Sequence, residues 1–300
     1  MMNEKLSKLE RSWILYDVGN SAFVLLVSTI MPIYFKYLAG NEWIGISFQT
    51  AMLLAFIITA VWWLILSVPL IVHYKQIHAI TETKNSITSS FSQLGNTFSD
   101  MIKHRQILFF LVAFFFYIDG VYTIIDMATA YGEALGLNTT GLLLALLLTQ
   151  VIAFPCALIF GKLSKRFAPE RLISLCIIAY IGISIFAIQL NQQWEFWFLA
   201  VCVGMFQGGI QALSRSYFAK IIPAEKSGEY FGILDICGKG ASFIGTTLVS
   251  LITQITGHSE AGVSIISVIM IIGFILFRIT VHQENQYTNS ATKISVSNTK

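Results

Sequence analysis

The sequence has few charged residues for its length. They make up 12% of its 300 positions, whereas hydrophobic residues make up 55%. Such a composition leaves too little polar surface to cover a soluble domain of this size, so lipid must cover much of the chain. The net charge of +3 is small, and the basic residues sit in short clusters between apolar runs rather than on one surface. We therefore expect a membrane protein that does not bind nucleic acid.

Signatures of catalytic and metal sites are also missing. The sequence contains no GxSxG, HExxH, GxxxxGK[ST] or GxGxxG motif. Its four cysteines lie in apolar runs, form no CxxC pair and have no histidine at metal-ligand spacing. That pattern indicates neither a zinc site nor a disulfide framework. The sequence thus predicts a protein that is not an enzyme and that holds no metal or cofactor.

Long apolar runs are what the sequence has in abundance. A helix of about 20 apolar residues spans the hydrocarbon core of a bilayer, and an open strand there would leave its peptide groups unpaired. Eight runs are long enough to span, and they cover residues 13–35, 50–73, 107–131, 139–160, 171–190, 194–213, 230–256 and 261–280. We predict an all-α polytopic membrane protein with about eight transmembrane helices.

The basic residues predict the orientation of these spans. If the N-terminus is inside the cell, all of the 19 Lys and Arg residues except Lys36 and Lys239 fall on the inner side. Short loops rich in Lys and Arg are typical of the cytoplasmic side. We therefore predict a multi-pass protein of the cell membrane with both termini in the cytoplasm.

The spans form two unequal groups, two within residues 1–73 and six within residues 107–280. The polar segment between them, 74–106, has apolar residues at helical spacing, which predicts an amphipathic helix on the inner membrane surface. These residues are Ile80, Ile87, Phe91, Leu94, Phe98 and Ile102. Residues 281–300, rich in Asn, Thr and Ser, are predicted to be a disordered cytoplasmic tail.

Some residues inside the predicted spans are candidates for a solute or proton pathway, because an ionisable group at bilayer depth costs about 2.5–3.5 kcal/mol on insertion scales. Asp17 and the nearby Asn20 lie near the inner end of the first span, where Asp17 either lines a pathway or caps the helix end. Asp119, Thr123 and Asp126 share one face of the third span, since seven residues make about two turns. That face either lines an aqueous path or hydrogen-bonds to another helix.

Asp235 and Lys239 are four residues apart on the seventh span, which is the spacing at which opposite charges meet on a helix surface. Two interpretations are open. The two charges neutralise each other, or Lys239 faces a central cavity and binds a carboxylate or phosphate group of an anionic solute. The direction in which Lys239 points separates the two interpretations.

Several stretches resemble the major facilitator superfamily of carriers. The loop at 161–171 resembles the cytoplasmic loop motif of that family, although Lys165 and Ala168 depart from it. This resemblance implies a gating role for Gly161, Lys165, Arg166 and Arg171. The opening WILYDVGNSAF at 13–23 is more specific and resembles the branch related to the yeast vacuolar amino-acid effluxer and its bacterial relatives. Residues 60–64, 117–121, 214–218, 223 and 230–232 also look like that branch.

The resemblance implies twelve helices in two six-helix bundles, alternating access around a central site, and transport of small solutes such as amino acids. The carboxylates of Asp119 and Asp126 add protons as a further expected partner, since a desolvated carboxylate suits proton coupling. Only eight spans fit here, so about four helices of the N-terminal bundle are missing, with the gap near residues 40–48. A chain of this kind either pairs with a second copy or another subunit, or it is a membrane protein that no longer transports.

Overall fold

A computed structural model describes Ser12, Tyr16 and residues 48–74 and 87–297. The chain divides into two units, Met1–Thr81 and Glu82–Lys300. The regular elements within the described residues are all helices, apart from a short 3-10 turn at Ala224–Lys226. We number the helices α1 Phe48–His73, α2 Ile87–Lys103, α3 Arg105–Ala134, α4 Thr139–Leu163, α5 Pro169–Ala187, α6 Gln193–Ile221, α7 Ser227–Thr256 and α8 Ser259–Ser297.

Seven of these helices, α1 and α3 to α8, are long and apolar enough to cross a membrane. They coincide with the last seven predicted spans, and the all-α polytopic fold is confirmed. The first predicted span, 13–35, lies outside the described residues except for Tyr16. Helix α6 was expected to end at residue 213 and continues to Ile221.

The first unit contains α1 and the two isolated described residues. The Tyr16 ring lies 6.4 Å from the Trp63 ring between centroids, and the Ser12 hydroxyl is 3.5 Å from Nδ1 of His73. Most of the described side chains of α1 are large, apolar and exposed. Such a surface is suited to contact with lipid or with further helices.

In the second unit, α3 packs mainly against α7 and α8, whereas α6 packs mainly against α4 and α5. An aromatic cluster joins α3, α6 and α8 near one end of the bundle. The Phe110 ring lies 5.1 Å from Tyr217, 5.6 Å from Phe218 and 6.4 Å from Phe277 between ring centroids. These four side chains are almost fully buried, so they form the part of the core next to the end at which α3 begins.

Helix α2 belongs to the second unit, and a single residue separates its end from the start of α3. The Thr97 hydroxyl donates a hydrogen bond to the Glu229 carboxylate, and Nζ of Lys226 lies 3.1 Å from Oδ2 of Asp100. Lys226, and then Lys103, lower the pKa of Asp100 below its ordinary value, and Asp100 raises the pKa of Lys226. These contacts tie α2 to the start of α7. The location of α2 on a membrane surface stays a prediction.

Helix α8 differs from the expectation at its end. It continues through Ser297, whereas residues 281–300 were predicted to be disordered. Residues 281–297 contain neither Gly nor Pro, so no residue type that ends helices interrupts them. Adding residues to an existing helix also avoids the cost of nucleation, a contribution that amino-acid composition does not show.

Small residues let α4 and α6 approach closely. A Cβ atom added at Gly204 would lie 2.6 Å from the Thr149 carbonyl oxygen, and one at Gly208 would lie 2.9 Å from the Ala157 Cβ. The Thr149 hydroxyl also donates to the Ala200 carbonyl, at 3.2 Å. Close backbone approach with hydrogen bonds between helices is typical of packing in lipid, where burial of apolar surface gives little driving force.

We expect Gly204→Ala to destabilise the bundle, because the atom in its way is a main-chain oxygen that cannot rotate aside. Overpacking of this kind costs about 1–3 kcal/mol, which would appear as a lower melting temperature of the protein in detergent. Gly182→Ala is the matched control, since nothing lies within 4 Å of a Cβ atom there. Equal melting temperatures for the two variants would contradict the close approach of α4 and α6.

Candidate functional site

Asp119 is buried against α7. Its side chain is 2% exposed, and its Oδ1 accepts hydrogen bonds from the Gly245 amide at 3.1 Å and from the Thr123 hydroxyl at 3.3 Å. A Cβ atom at Gly245 would collide with both of these side chains, so a glycine is needed where the carboxylate meets α7. Of the two interpretations of this face, the hydrogen bond to another helix is therefore present. A pathway role for Asp119 and Thr123 stays a prediction.

Asp126 lies two turns further along the same face of α3 and is exposed. Its Oδ2 accepts a hydrogen bond from the Ser242 hydroxyl, at 2.7 Å. The expected common face of Asp119 and Asp126 is thus the one that meets α7. The two carboxylates differ in surroundings, since only Asp126 is open to a solute or to water.

Asp235 does not pair with Lys239, which corrects the interpretation of a self-neutralising pair. Its Oδ1 instead lies 2.6 Å from Nη2 of Arg215 on α6. Arg215 is six residues before the end of α6 and Asp235 is eight residues after the start of α7. The short connection between these helices therefore brings the two charges to a similar level. Their side chains are 56% and 49% exposed, respectively.

Lys239 is exposed, and within the part of the chain that the structure describes no carboxylate lies within ion-pair distance of it. It is twelve residues after the start of α7, which corresponds to about 18 Å along the helix. Lys239 therefore presents an ammonium group well inside the span, where an unpaired charge facing lipid is costly.

We call Asp126, Arg215, Asp235 and Lys239 the charged face. The Ser242–Asp126 hydrogen bond joins α7 to α3, and the Arg215–Asp235 ion pair joins α6 to α7, so side chains from these three helices meet along α7. Lys239 lies on α7 one turn from Asp235 and, in the other direction, almost one turn from Ser242, the partner of Asp126. The charged face thus presents both signs of charge on an exposed surface of the bundle.

The sequence did not identify Arg215 or Ser242 as members of this site. Arg215 was assigned to the region beyond the sixth span because that span was expected to end at residue 213. The buried side chains of Leu213, Tyr217 and Phe218 continue the inward side of α6 past that point. These apolar residues are at positions i, i+4 and i+5, a helical spacing that could have predicted that α6 continues past residue 213.

The expected gating loop lies between α4 and α5. Gly161 is in the last turn of α4, and its carbonyl accepts a hydrogen bond from the Ser164 hydroxyl at 2.9 Å. Lys165, Arg166 and Arg171 are all exposed. Their role in gating stays a prediction. Asp17 and Asn20 lie outside the described residues, so their expected place in the pathway stays a prediction as well.

We expect Arg215→Gln and Asp235→Asn each to lower stability more than the double variant does, because either single change leaves one charge without its partner. The coupling energy from a double-mutant cycle should be about 1 kcal/mol or more, measured by thermal unfolding in detergent. Lys220→Gln, in the last turn of α6, serves as the control for loss of a positive charge. Additive effects of the two changes would contradict the pairing.

Comparisons with known proteins agree with this architecture. Residues 42–290 match the family described as vacuole effluxer Atg22 like. The chain is 39% identical over 254 residues to the uncharacterised MFS-type transporter YxiO of Bacillus subtilis (strain 168), covering 85% of this chain and 58% of YxiO. It is 30% identical over 185 residues to autophagy-related protein 22 of Saccharomyces cerevisiae (strain S288c), covering 58% of this chain and 35% of that protein.

The chain thus matches less than two thirds of the length of these relatives. The family match itself covers most of α1 to α8 and includes the whole charged face. Together with the spans that the structure describes, this match shows that the chain is a multi-pass membrane protein belonging to the Atg22-like effluxer family, a branch of the major facilitator type.

Proposed function

We propose that this chain takes part in moving a small solute across a membrane, and that the charged face lines the route. The observation that carries the proposal is the set of exposed charges on α3, α6 and α7 at the depth of the spans. Charged side chains at such depth are typical of solute and ion pathways. Asp17, Asn20, Asp119 and Thr123 are proposed as further members of the same pathway.

An amino acid is the solute class that fits the charged face best. Lys239 offers a positive charge without an ion-pair partner among the described residues, and Asp126 offers a negative charge that holds only a hydroxyl. Both lie next to Ser242, so one solute could meet both with its carboxylate and its ammonium group. The family name and the relatives support transport in general. The bacterial origin of YxiO supports the cell membrane as the proposed location.

A second copy of the chain is the proposed source of the missing bundle. Alternating access requires two helical bundles that move around a shared site. The unit Glu82–Lys300 supplies six helices able to cross a membrane, and its charged face is exposed. Covering that face with protein and water would remove the cost of leaving the charges against lipid.

A transport assay with matched variants tests this proposal. Protein reconstituted in liposomes should release preloaded amino acids, and Lys239→Gln should lower the rate at least tenfold, because the solute carboxylate loses its cation. Tenfold corresponds to about 1.4 kcal/mol of lost interaction. Lys220→Gln should leave the rate unchanged. Equal rates for the two variants would remove Lys239 from the route.

Asp119→Asn tests proton coupling without disturbing the fold. An asparagine side-chain oxygen can still accept the hydrogen bonds from Gly245 and Thr123, so we expect an unchanged melting temperature. The variant cannot bind and release a proton, so solute-driven acidification or alkalisation of the liposome interior should disappear. Asp126→Asn should behave in the same way. Loss of folding together with flux would assign the carboxylates a purely structural role.

A membrane protein that does not transport, or that serves as a partner subunit of a carrier, is the alternative function. The matched share of YxiO, 58%, is the observation that favours it. The mass of the reconstituted protein, measured together with its flux, separates these possibilities. A dimer with flux supports the carrier, whereas a folded monomer or dimer without flux of solute or protons under any gradient supports the alternative.

A further inference from the structure

Helix α2 has three kinds of surroundings around its circumference. Thr97 and Met101 are buried against the bundle, whereas Phe98 and Ile102 are each 49% exposed. Successive helix residues are about 100° apart, so the exposed apolar side is centred about 100° away from the buried side. Ser99 lies about 100° further around the helix than Phe98, and it is polar and exposed. A helix that packs on protein alone turns its apolar residues inward, and α2 does not.

The attachments of α2 determine its level in the molecule. Only His104 separates α2 from the first residue of α3, and the backbone bends there, with φ −90° and ψ 88°. Thr97 donates to Glu229, and Asp100 pairs with Lys226. Both partners lie at the start of α7. Helix α2 therefore lies where two helices able to cross a membrane begin, which is the level at which we expect the bilayer surface.

The charges on α2 favour an anionic partner. Its one acidic residue, Asp100, is on the side that meets the bundle, and it pairs with Lys226 at 3.1 Å and with Lys103 at 3.4 Å. Lys103 and Arg105 are exposed at the end of α2 and the start of α3. The exposed part of this end is therefore positive beside an apolar stripe.

We propose that α2 binds an anionic lipid surface, with Phe98 and Ile102 inserted at the boundary of headgroups and acyl chains and with Lys103 and Arg105 contacting lipid phosphates. A helix with an apolar stripe and flanking cations binds membranes in this way. Because α2 is also tied to the start of α7, the lipid contact anchors the end of the bundle to one leaflet. The proposal does not depend on transport.

Spin-label depth measurements on the full chain test this proposal. Single cysteines replace Phe98, Ile102, Ser99 or Ile178 in a background without the four native cysteines, and the protein is placed in vesicles of phosphatidylcholine and phosphatidylglycerol. Labels at 98 and 102 should lie about 5–10 Å below the phosphates, and the label at 99 should lie in water. The label at 178, on an exposed position of α5, confirms insertion of the bundle.

Two comparisons test the lipid class. Vesicles of phosphatidylcholine alone should move the labels at 98 and 102 outward, and so should the double change Lys103→Gln/Arg105→Gln in anionic vesicles. Equal depth under all three conditions would overturn the assignment to anionic lipid. Labels at 98 and 102 that are as accessible to water-soluble relaxants as the label at 99 would overturn membrane binding. Labels shielded from both lipid-soluble and water-soluble relaxants would show that protein covers the stripe, which also overturns it.

Discussion

The cost of placing an ionised or polar group in hydrocarbon is the constraint on which this structure depends. Each such group inside the spans must find a partner, meet water or be covered by protein. Asp119 meets the constraint through hydrogen bonds from Gly245 and Thr123, and Asp235 meets it through Arg215. These contacts join α3 to α7 and α6 to α7. The polar groups therefore also determine which helices pack together.

The sequence predicted where the helices lie, but it did not predict which charged side chains pair, and both results have one physical reason. A span is recognised from the mean hydropathy of about 20 residues, and seven of the eight expected spans lie where helices are found. A partner depends on how helices are arranged, which local composition does not contain. Spacing along α7 suggested Lys239 for Asp235, but the neighbouring helix supplied Arg215 at 2.6 Å. A guanidinium group on the adjacent helix of a hairpin is closer than the residue one turn away.

The other differences between expectation and structure lie at the ends of α6 and α8. Hydropathy falls at Arg215 and after Val281, so both positions were expected to lie beyond a span. The backbone continues as helix in both places, because hydropathy reports where lipid begins rather than where helical hydrogen bonding stops. Polar residues that extend a helix beyond the hydrocarbon are compatible with that hydrogen bonding, and only Gly or Pro would oppose it strongly. The turn at Gly257 shows the contrast, since a glycine with φ 73° ends α7 sharply.

The exposed charges of Lys239 and Asp126 bear more directly on transport than the buried carboxylate of Asp119 does. Asp119 has its hydrogen bonds within the unit, so its environment is complete there. Lys239 and Asp126 are exposed on the same unit, so water, a solute or further helices can contact them. A surface with both charges open is suited to a route between two bundles, where solute and a second set of helices meet it in turn. On the proposed route, recognition of a solute would require helices from beyond Glu82–Lys300, and the same requirement would make transport depend on assembly.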